Sequence, residues 1–165
     1  MQVREARPDD ADRLFELMQG LAKFEDYFDA FSVSKDSIRR YGFGDGALFK
    51  AFVAEAGERV CGMAITYVVP WTYTLRPKLV LKELFIEDDA RSRGAGKKLF
   101  AAIANYAESI GAGEVVWTVM AGNTLAEQFY QSVGGTPDPK WQNWTLSLEG
   151  RPIVTHKLLS DGGHP

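Results

Sequence analysis

The stretch "LFIEDDARSRGAGKKLFAAI", residues 84–103, constrains the fold more than any other part of the chain. An apolar run ends in acids, and Gly94 and Gly96 then precede a helical pattern that begins at Leu99. A helix that starts at such a turn exposes unpaired amides and the positive end of its dipole, and glycines let a ligand approach that backbone closely. Anion binding is therefore the leading interpretation, and the alternative is an ordinary glycine-rich turn with solvated basic residues.

Two common phosphate-binding motifs do not fit this turn. The P-loop requires a glycine where Arg91 stands and a Ser or Thr where Lys98 stands. The dinucleotide-binding fingerprint requires its third glycine at the position of Leu99. What remains is the spacing Arg91-x-x-Gly94-x-Gly96.

The segment before this turn predicts two helices. Residues 5–25 place apolar side chains on one helical face, with Asp9 or Asp10 as the cap of the first turn. A shorter helix begins at the capping candidate Ser34 and ends at Gly42, which tolerates a left-handed conformation. The side chains expected inside are Leu14, Leu17, Met18, Leu21 and Phe24 from the first helix, and Ile38 and Tyr41 from the second.

The other elements follow from alternation and turn residues. They are two strands within 47–69 that meet at Gly57, a strand at 78–87, a helix from Leu99 that ends at the glycines of 111–113, a strand at 114–120, a helix at 124–135 with a Thr124–Glu127 capping box, and a last strand at 141–149. This order predicts an α/β fold with a mixed, mostly antiparallel central sheet flanked by helices. The predicted order of elements is β-α-α-β-β-β-α-β-α-β, and a further terminal strand is possible.

Composition narrows the class of protein. The 165 residues, 45% of them apolar, suit a single domain over 1–165 with a frayed tail at 160–165. The net charge of -3 does not favour nucleic acid, and we see neither a signal peptide nor a membrane span, so we expect a soluble, cytoplasmic protein. The lone Cys61 is expected to be a small buried hydrophobe, and His156 and His164 show no metal-site spacing.

The spacing Arg91-x-x-Gly94-x-Gly96 resembles the loop of the GNAT acetyltransferase superfamily that cradles the pyrophosphate of acetyl-CoA. Downstream, "GNTLAEQFY" matches the family pattern of a helix-opening Asn123 followed by Tyr130. The resemblance implies a GNAT-type acyl-CoA N-acyltransferase fold and acetyl-CoA as co-substrate, with no metal. The cofactor-binding residues that it implies are Phe85, Ile86, Arg91, Ser92, Arg93, Gly94, Ala95, Gly96, Lys97 and Asn123.

The chain is most similar to the diamine branch of that superfamily, the spermidine/spermine acetyltransferases and their thialysine-using relatives. The shared motifs are "LAKFED" at 21–26, "GFG" at 42–44, "VAE" at 53–55, Pro-Trp at 70–71 and "NTLAEQFYQSVGG" at 123–135. The resemblance implies a small-molecule amine as substrate and, by analogy, a homodimer.

Acetyl transfer needs an acid for the leaving thiolate and a route for the amine proton. Tyr130 is the candidate acid, although its helical spacing also suits core packing, and Glu83 is the candidate base, although it could equally be solvated. Lys82 stands where diamine enzymes carry the first of two adjacent acids, and Gly122 stands in place of a Trp. Both differences argue against a polyamine as the specific acceptor.

The sequence indicates general chemical features of the acceptor but does not identify the molecule. Glu25 and Asp26 could attract a cationic substrate, Trp71 could line its aliphatic part, and Lys82 could pair with a carboxylate. The alternative for the acids is an ordinary surface loop. Other acceptors remain open, namely another amino acid, a peptide amine or an aminoglycoside-like molecule, and so does a CoA-binding module without turnover.

Overall fold

The computed structural model describes residues 1–146. In this part of the chain the strands form one sheet in the order β1-β2-β3-β4-β5. β1 to β4 are antiparallel neighbours, and β5 runs parallel to β4. The bounds are Gln2–Glu5 for β1, Lys50–Ala56 for β2, Arg59–Val69 for β3, Lys78–Ile86 for β4 and Glu114–Val116 for β5. The mixed, mostly antiparallel sheet predicted from the sequence is confirmed.

Four helices flank the sheet. They are α1 (Ala11–Phe24), α2 (Lys35–Tyr41), α3 (Ala95–Ser109) and α4 (Thr124–Ser132), and a 3-10 turn at Asp88–Ala90 precedes α3. Side chains of α1 and α2 pack on one face of the sheet and those of α3 on the other, because strand residues alternate between faces. The sheet therefore lies between two apolar cores.

The predicted last strand at 141–149 is not confirmed. Residues 141–146 have no strand pairing, and 147–149 lie outside the described residues, as do the predicted tail at 160–165 and both histidines. The strand predicted at 114–120 is also shorter than expected, because β5 ends at Val116. Cys61 is fully buried, as predicted.

The ends of α1 and α2 correct two predictions. Asp10 precedes α1 without capping it, since its carboxylate accepts hydrogen bonds from the Arg4 guanidinium and the Arg7 backbone instead. Ser34 does cap α2, but Gly42 has a φ of -95° and is not left-handed. A Cβ at Gly42 would lie 2.7 Å from the Ile38 carbonyl oxygen, so close packing explains this glycine.

Three further side chains differ from expectation. Phe24 and Tyr41, predicted to be inside, are 54% and 40% exposed. α4 is capped by Asn123, whose Oδ1 accepts a hydrogen bond from the Ala126 backbone at 3.1 Å, and not by the predicted Thr124–Glu127 box. Thr124 is already the first helical residue, one position too late to act as the cap.

A β-bulge at Lys82 interrupts β4. Glu83 pairs with Ile65 of β3 and Leu81 pairs with Thr66, so Lys82 has no residue opposite it. A bulge inserts one residue into one strand and bends that strand locally. It therefore changes which face of the sheet every later residue of β4 occupies.

The change of face is visible in the packing of β4. Leu79 and Leu81 belong to the core against α3, and beyond the bulge Leu84 and Ile86 pack against the same core. Glu83 consequently lies on the opposite face, where α1 packs. The bulge thus turns this carboxylate away from the α3 core.

Candidate active site

The parallel strands β4 and β5 separate and leave a cleft between them. β5 pairs only with Lys78–Val80, so no other described strand covers the edge of β4 from residue 81 onward. A cavity of about 630 Å³ occupies this opening. Of the residues singled out in the sequence, it is lined by Glu25, Lys82, Glu83, Phe85, Ile86, Arg91, Ser92, Gly94, Ala95, Gly96, Lys97, Asn123 and Tyr130.

Three predicted site residues are not among those that line the cleft. Arg93 is exposed on the turn outside it. Asp26 is exposed in a left-handed turn (φ 58°) one residue beyond Glu25. Trp71 lies in the loop between β3 and β4, where the Lys78 ammonium sits 3.6 Å from its ring centroid. The structure therefore places these three outside the cavity lining, and their contribution to the site stays a prediction.

Sequence reasoning missed part of the lining. Thr118, Val119 and Met120 follow β5 and form the wall opposite β4, and Phe129 lies beside Tyr130 on α4. The available signal was the parallel crossover through α3, because ligand sites form where the carboxyl ends of parallel strands lie side by side.

The glycine turn presents the start of α3 to the cleft. No side chain in the described part of the chain caps this helix, and its first turn holds no acidic residue. Gly94 precedes the helix with a φ of 80°, and a Cβ added there would meet no atom within 4 Å. Glycine is thus required at this position for its backbone conformation, and an anion could approach the uncapped amides.

Gly96 serves a different purpose. A Cβ at this position would lie 3.0 Å from the Phe129 ring and 3.4 Å from the Ile86 side chain. The absence of a side chain therefore allows α3 to begin close against α4 and β4. Gly94 is thus required for its backbone conformation, and Gly96 is required for close packing.

Arg91 closes the turn that precedes α3. Its Nε donates a hydrogen bond to the Ile86 carbonyl oxygen at 3.0 Å, and Nη1 lies 2.8 Å from Asp88. The guanidinium also lies 5.3 Å from the Phe24 ring centroid and 6.0 Å from that of Phe85. Its positive charge is thereby held at the edge of the cleft.

The position of Tyr130 is compatible with both roles that the sequence left open, core packing and acid catalysis. Its ring packs against Trp117, with centroids 4.9 Å apart, and against Phe100 and Phe129. The residue also lines the cleft. Burial raises the pKa of Tyr130 to about 12, and the nearby Glu25 carboxylate adds to the shift. The phenol therefore stays protonated at neutral pH.

Glu83 is a buried carboxyl group in the cleft. Burial raises its pKa, Lys82 opposes that shift, and Glu25 adds to it. Its Oε2 is buried without a hydrogen-bond partner among residues 1–146. An unpaired buried polar atom lowers stability, and such atoms concentrate at functional sites.

Glu83→Gln is expected to stabilise the folded protein at neutral pH and to have little effect in acid. Because folding raises the pKa of Glu83, the folded state binds more protons than the unfolded state between the two pKa values. The wild-type free energy of unfolding therefore falls as pH rises through that window and stays lower above it. Urea unfolding at pH 7 and at about pH 3, where an ordinary carboxyl is protonated, measures the difference.

The exposed Glu127→Gln, on α4, is the control for removing a surface carboxylate. A Glu83→Gln variant that is no more stable than wild type at neutral pH would contradict the assignment of Glu83 as a destabilising buried acid.

Comparison with known proteins assigns this fold to the N-acetyltransferase enzymes. The model of the acetyltransferase (GNAT) family matches residues 13–134, so the chain belongs to that family. The family uses acetyl-CoA. Within the part that the structure describes, no helix is long and apolar enough to cross a membrane, and no group of three or more His, Cys, Asp or Glu could hold a metal ion.

Similar proteins carry names from the same class. The chain is 25% identical to a thialysine N-epsilon-acetyltransferase of Sus scrofa over 90% of its length and 92% of the relative's. It is 24% identical to a spermidine/spermine N(1)-acetyltransferase-like protein of Homo sapiens, over 88% of this chain but 22% of that one. A metagenomic aminoglycoside acetyltransferase shares the fold, with a TM-score of 0.77 at 19% identity over 90% of this chain and 96% of its own.

Proposed function

We propose that the protein transfers an acetyl group from acetyl-CoA directly to the primary amine of a small molecule. The observation that carries this proposal is the meeting of Glu83 and Tyr130, both with raised pKa, in a cleft that also receives the uncapped start of α3. A buried base and a protonated phenol are the two groups that acetyl transfer to an amine requires.

The residues of the turn fit a pyrophosphate. The first amides of α3 provide hydrogen-bond donors without a competing side chain, and Arg91 and Lys97 add positive charge at the cleft. The uncovered edge of β4 offers the Ile86 backbone amide to the amide-bearing arm of CoA, Phe85 lines the cleft beside it, and Asn123 stands across the cleft at the start of α4. When bound, acetyl-CoA supplies an acetyl group activated as a thioester.

Two proton movements complete the reaction. Glu83 accepts a proton from the acceptor, because an alkylammonium cannot attack until it is neutral, and a carboxyl with a raised pKa is better matched to that task. Tyr130 donates its phenolic proton to the sulfur as the thiolate leaves. Both groups line the same cleft, and in the proposed reaction positioning supplies much of the remaining rate enhancement.

Charge in the cleft favours an acceptor that carries a carboxylate as well as an amine. Lys82 is exposed at the bulge, lines the cleft, and forms no ion pair with any residue of 1–146. It would repel a second cation close to Glu83 and could pair with an α-carboxylate, whereas Glu25 could attract the amino group. We therefore place an ω-amino acid such as thialysine or lysine ahead of spermidine.

Lys82→Glu is expected to reverse this preference. Losing one charge-assisted hydrogen bond should lower kcat/KM for thialysine by about tenfold, and removing the repulsion should raise it for spermidine. Steady-state kinetics with thialysine, lysine, putrescine and spermidine make the comparison. Lys23→Glu controls for a general change of charge, because Lys23 is an exposed residue of α1 outside the cleft lining.

If spermidine is the best wild-type substrate and Lys82→Glu does not improve it further, Lys82 is not a specificity residue. The same panel should include a peptide amine and an aminoglycoside, which test the alternative acceptors.

A non-catalytic CoA-binding module is the less favoured function, because it gives no reason for the unpaired buried carboxylate of Glu83. The single domain, the homodimer and the cytoplasmic location stay predictions.

A further inference from the structure

A cluster of ion pairs outside the cleft joins α1 and β3 to the end of β4. Arg13 of α1 places Nη2 2.6 Å from the Glu87 carboxylate and donates through Nε to the Val60 carbonyl oxygen at 2.8 Å. Arg59 of β3 lies 2.6 Å from Asp89 and 3.8 Å from Glu87. None of these five residues lines the cleft.

The cluster fixes the turn that leads into the glycine loop. The Glu87 backbone amide donates to the Cys61 carbonyl oxygen at 3.0 Å, and the Arg91 amide donates to the Asp88 carbonyl oxygen at 3.3 Å. Ala90 at the end of the turn is 2% exposed. The chain is thus anchored on its upstream side immediately before Arg91.

The loop beyond this anchor is strained. Ser92 has a φ of 61°, a left-handed conformation that non-glycine residues rarely adopt, and Gly94 follows with a φ of 80°. Such a conformation persists only when the structure on both sides fixes it. Downstream, Ala95 and Leu99 are buried at the start of α3. Upstream, the fixed element is the turn held by Arg13 and Glu87.

We propose that Arg13 and Glu87 are positioning residues for the pyrophosphate of acetyl-CoA, which they reach only through the backbone of residues 92–97. This inference rests on the proposed function. Removing either partner releases the upstream anchor, and Ser92 can then relax to an ordinary conformation. The amides at the start of α3 would no longer be presented to the ligand together.

The burial of Glu87 explains why the two partners depend on each other. Its Oε2 is buried without a hydrogen-bond partner among the described residues, and its other cation, Arg59, is 3.8 Å away. The Glu87 side chain as a whole is 28% exposed, so without Arg13 its carboxylate would be poorly compensated and free to turn towards water. Glu87→Gln removes the charge and keeps the shape, and should perturb the turn less.

The test is a double-mutant cycle on the affinity for CoA. Arg13→Ala and Glu87→Ala are each expected to weaken CoA binding, measured by calorimetry, by about tenfold, and the double variant should bind no more weakly than the worse single one. The KM for acetyl-CoA should rise, whereas kcat at saturation should stay within about twofold of wild type. A merely structural role would lower the melting temperature without separating KM from kcat.

Arg39→Ala is the matched control. Arg39 of α2 forms an ion pair with Asp12 of α1, and neither residue belongs to the glycine loop or to the cluster around Glu87. It removes an ion pair between elements and should leave CoA affinity unchanged. If Arg13→Ala does not fold, Glu87→Gln keeps the test open, with an expected loss of about threefold.

Folded variants that bind CoA as well as wild type, or singles whose effects simply add, would overturn the positioning role. An absence of CoA binding by the wild-type protein would instead overturn the proposed function, and this inference with it.

Discussion

Tyr130→Phe is expected to lower turnover by about 10²-fold or more, the range typical for the loss of a general acid. The substitution removes only the phenolic oxygen and keeps the ring that packs against Trp117, Phe100 and Phe129. The fold and the affinity for CoA should therefore change little. Rapid-quench or steady-state kinetics at saturating acetyl-CoA, with CoA binding by calorimetry, separate chemistry from binding.

Tyr106→Phe is the matched control. Tyr106 of α3 also packs against the apolar core, with its ring 5.8 Å from that of Phe52 on β2, but it does not line the cleft. Its replacement should leave turnover unchanged. Because the pKa of Tyr130 is about 12, the phenol should stay protonated through the ordinary assay range, and no loss of rate below about pH 10 should belong to it. Wild-type turnover of Tyr130→Phe would make the residue a packing residue only.

Gly94→Val is expected to weaken CoA binding by about 10²-fold. The position has a φ of 80°, which a β-branched residue strongly disfavours, and the turn must change its backbone to accept valine. Gly94 lines the cleft and a Cβ added there meets no atom within 4 Å, so the new side chain would also add bulk beside the expected phosphate site. Calorimetric titration with CoA measures the loss, and an unchanged affinity would exclude this turn as the pyrophosphate site.

Gly44→Val provides a control for backbone strain alone. Gly44 has a φ of 78°, and a Cβ added there also meets no atom within 4 Å, but it lies away from the cleft. Its replacement should lower stability to a similar extent and leave CoA affinity unchanged.

CoA binding by the wild-type protein should weaken as the salt concentration rises, because salt screens the attraction between the phosphates and the basic side chains of Arg91, Arg93, Lys97 and Lys98.

Local features of the fold could be predicted from the sequence. Helical spacing identified α1 and α3, alternation identified β2 to β4, and Gly57 marked the turn between β2 and β3. The glycine motif marked the turn at Gly94 and the start of α3. These features depend on neighbouring residues only, so a single sequence is enough to find them.

Features that depend on distant residues could not be predicted. The bulge at Lys82 exists only relative to β3, and it decides which face Glu83 occupies. Trp71 was predicted from its motif to line the acceptor site, and the sequence did not show that its ring contacts Lys78 outside the cavity lining. The pairing of Arg13 with Glu87 joins positions far apart in the chain, and no local pattern marks it.

Thiol release from acetyl-CoA by the wild-type protein, measured against a panel of amines, tests the central claim most directly. We predict release that requires both a primary amine and the protein, matches the N-acetylated product in amount, and is fastest with an ω-amino acid such as thialysine or lysine. Binding of CoA without amine-dependent thiol release for any member of the panel would contradict the claim that Glu83 and Tyr130 form a working acetyl-transfer site.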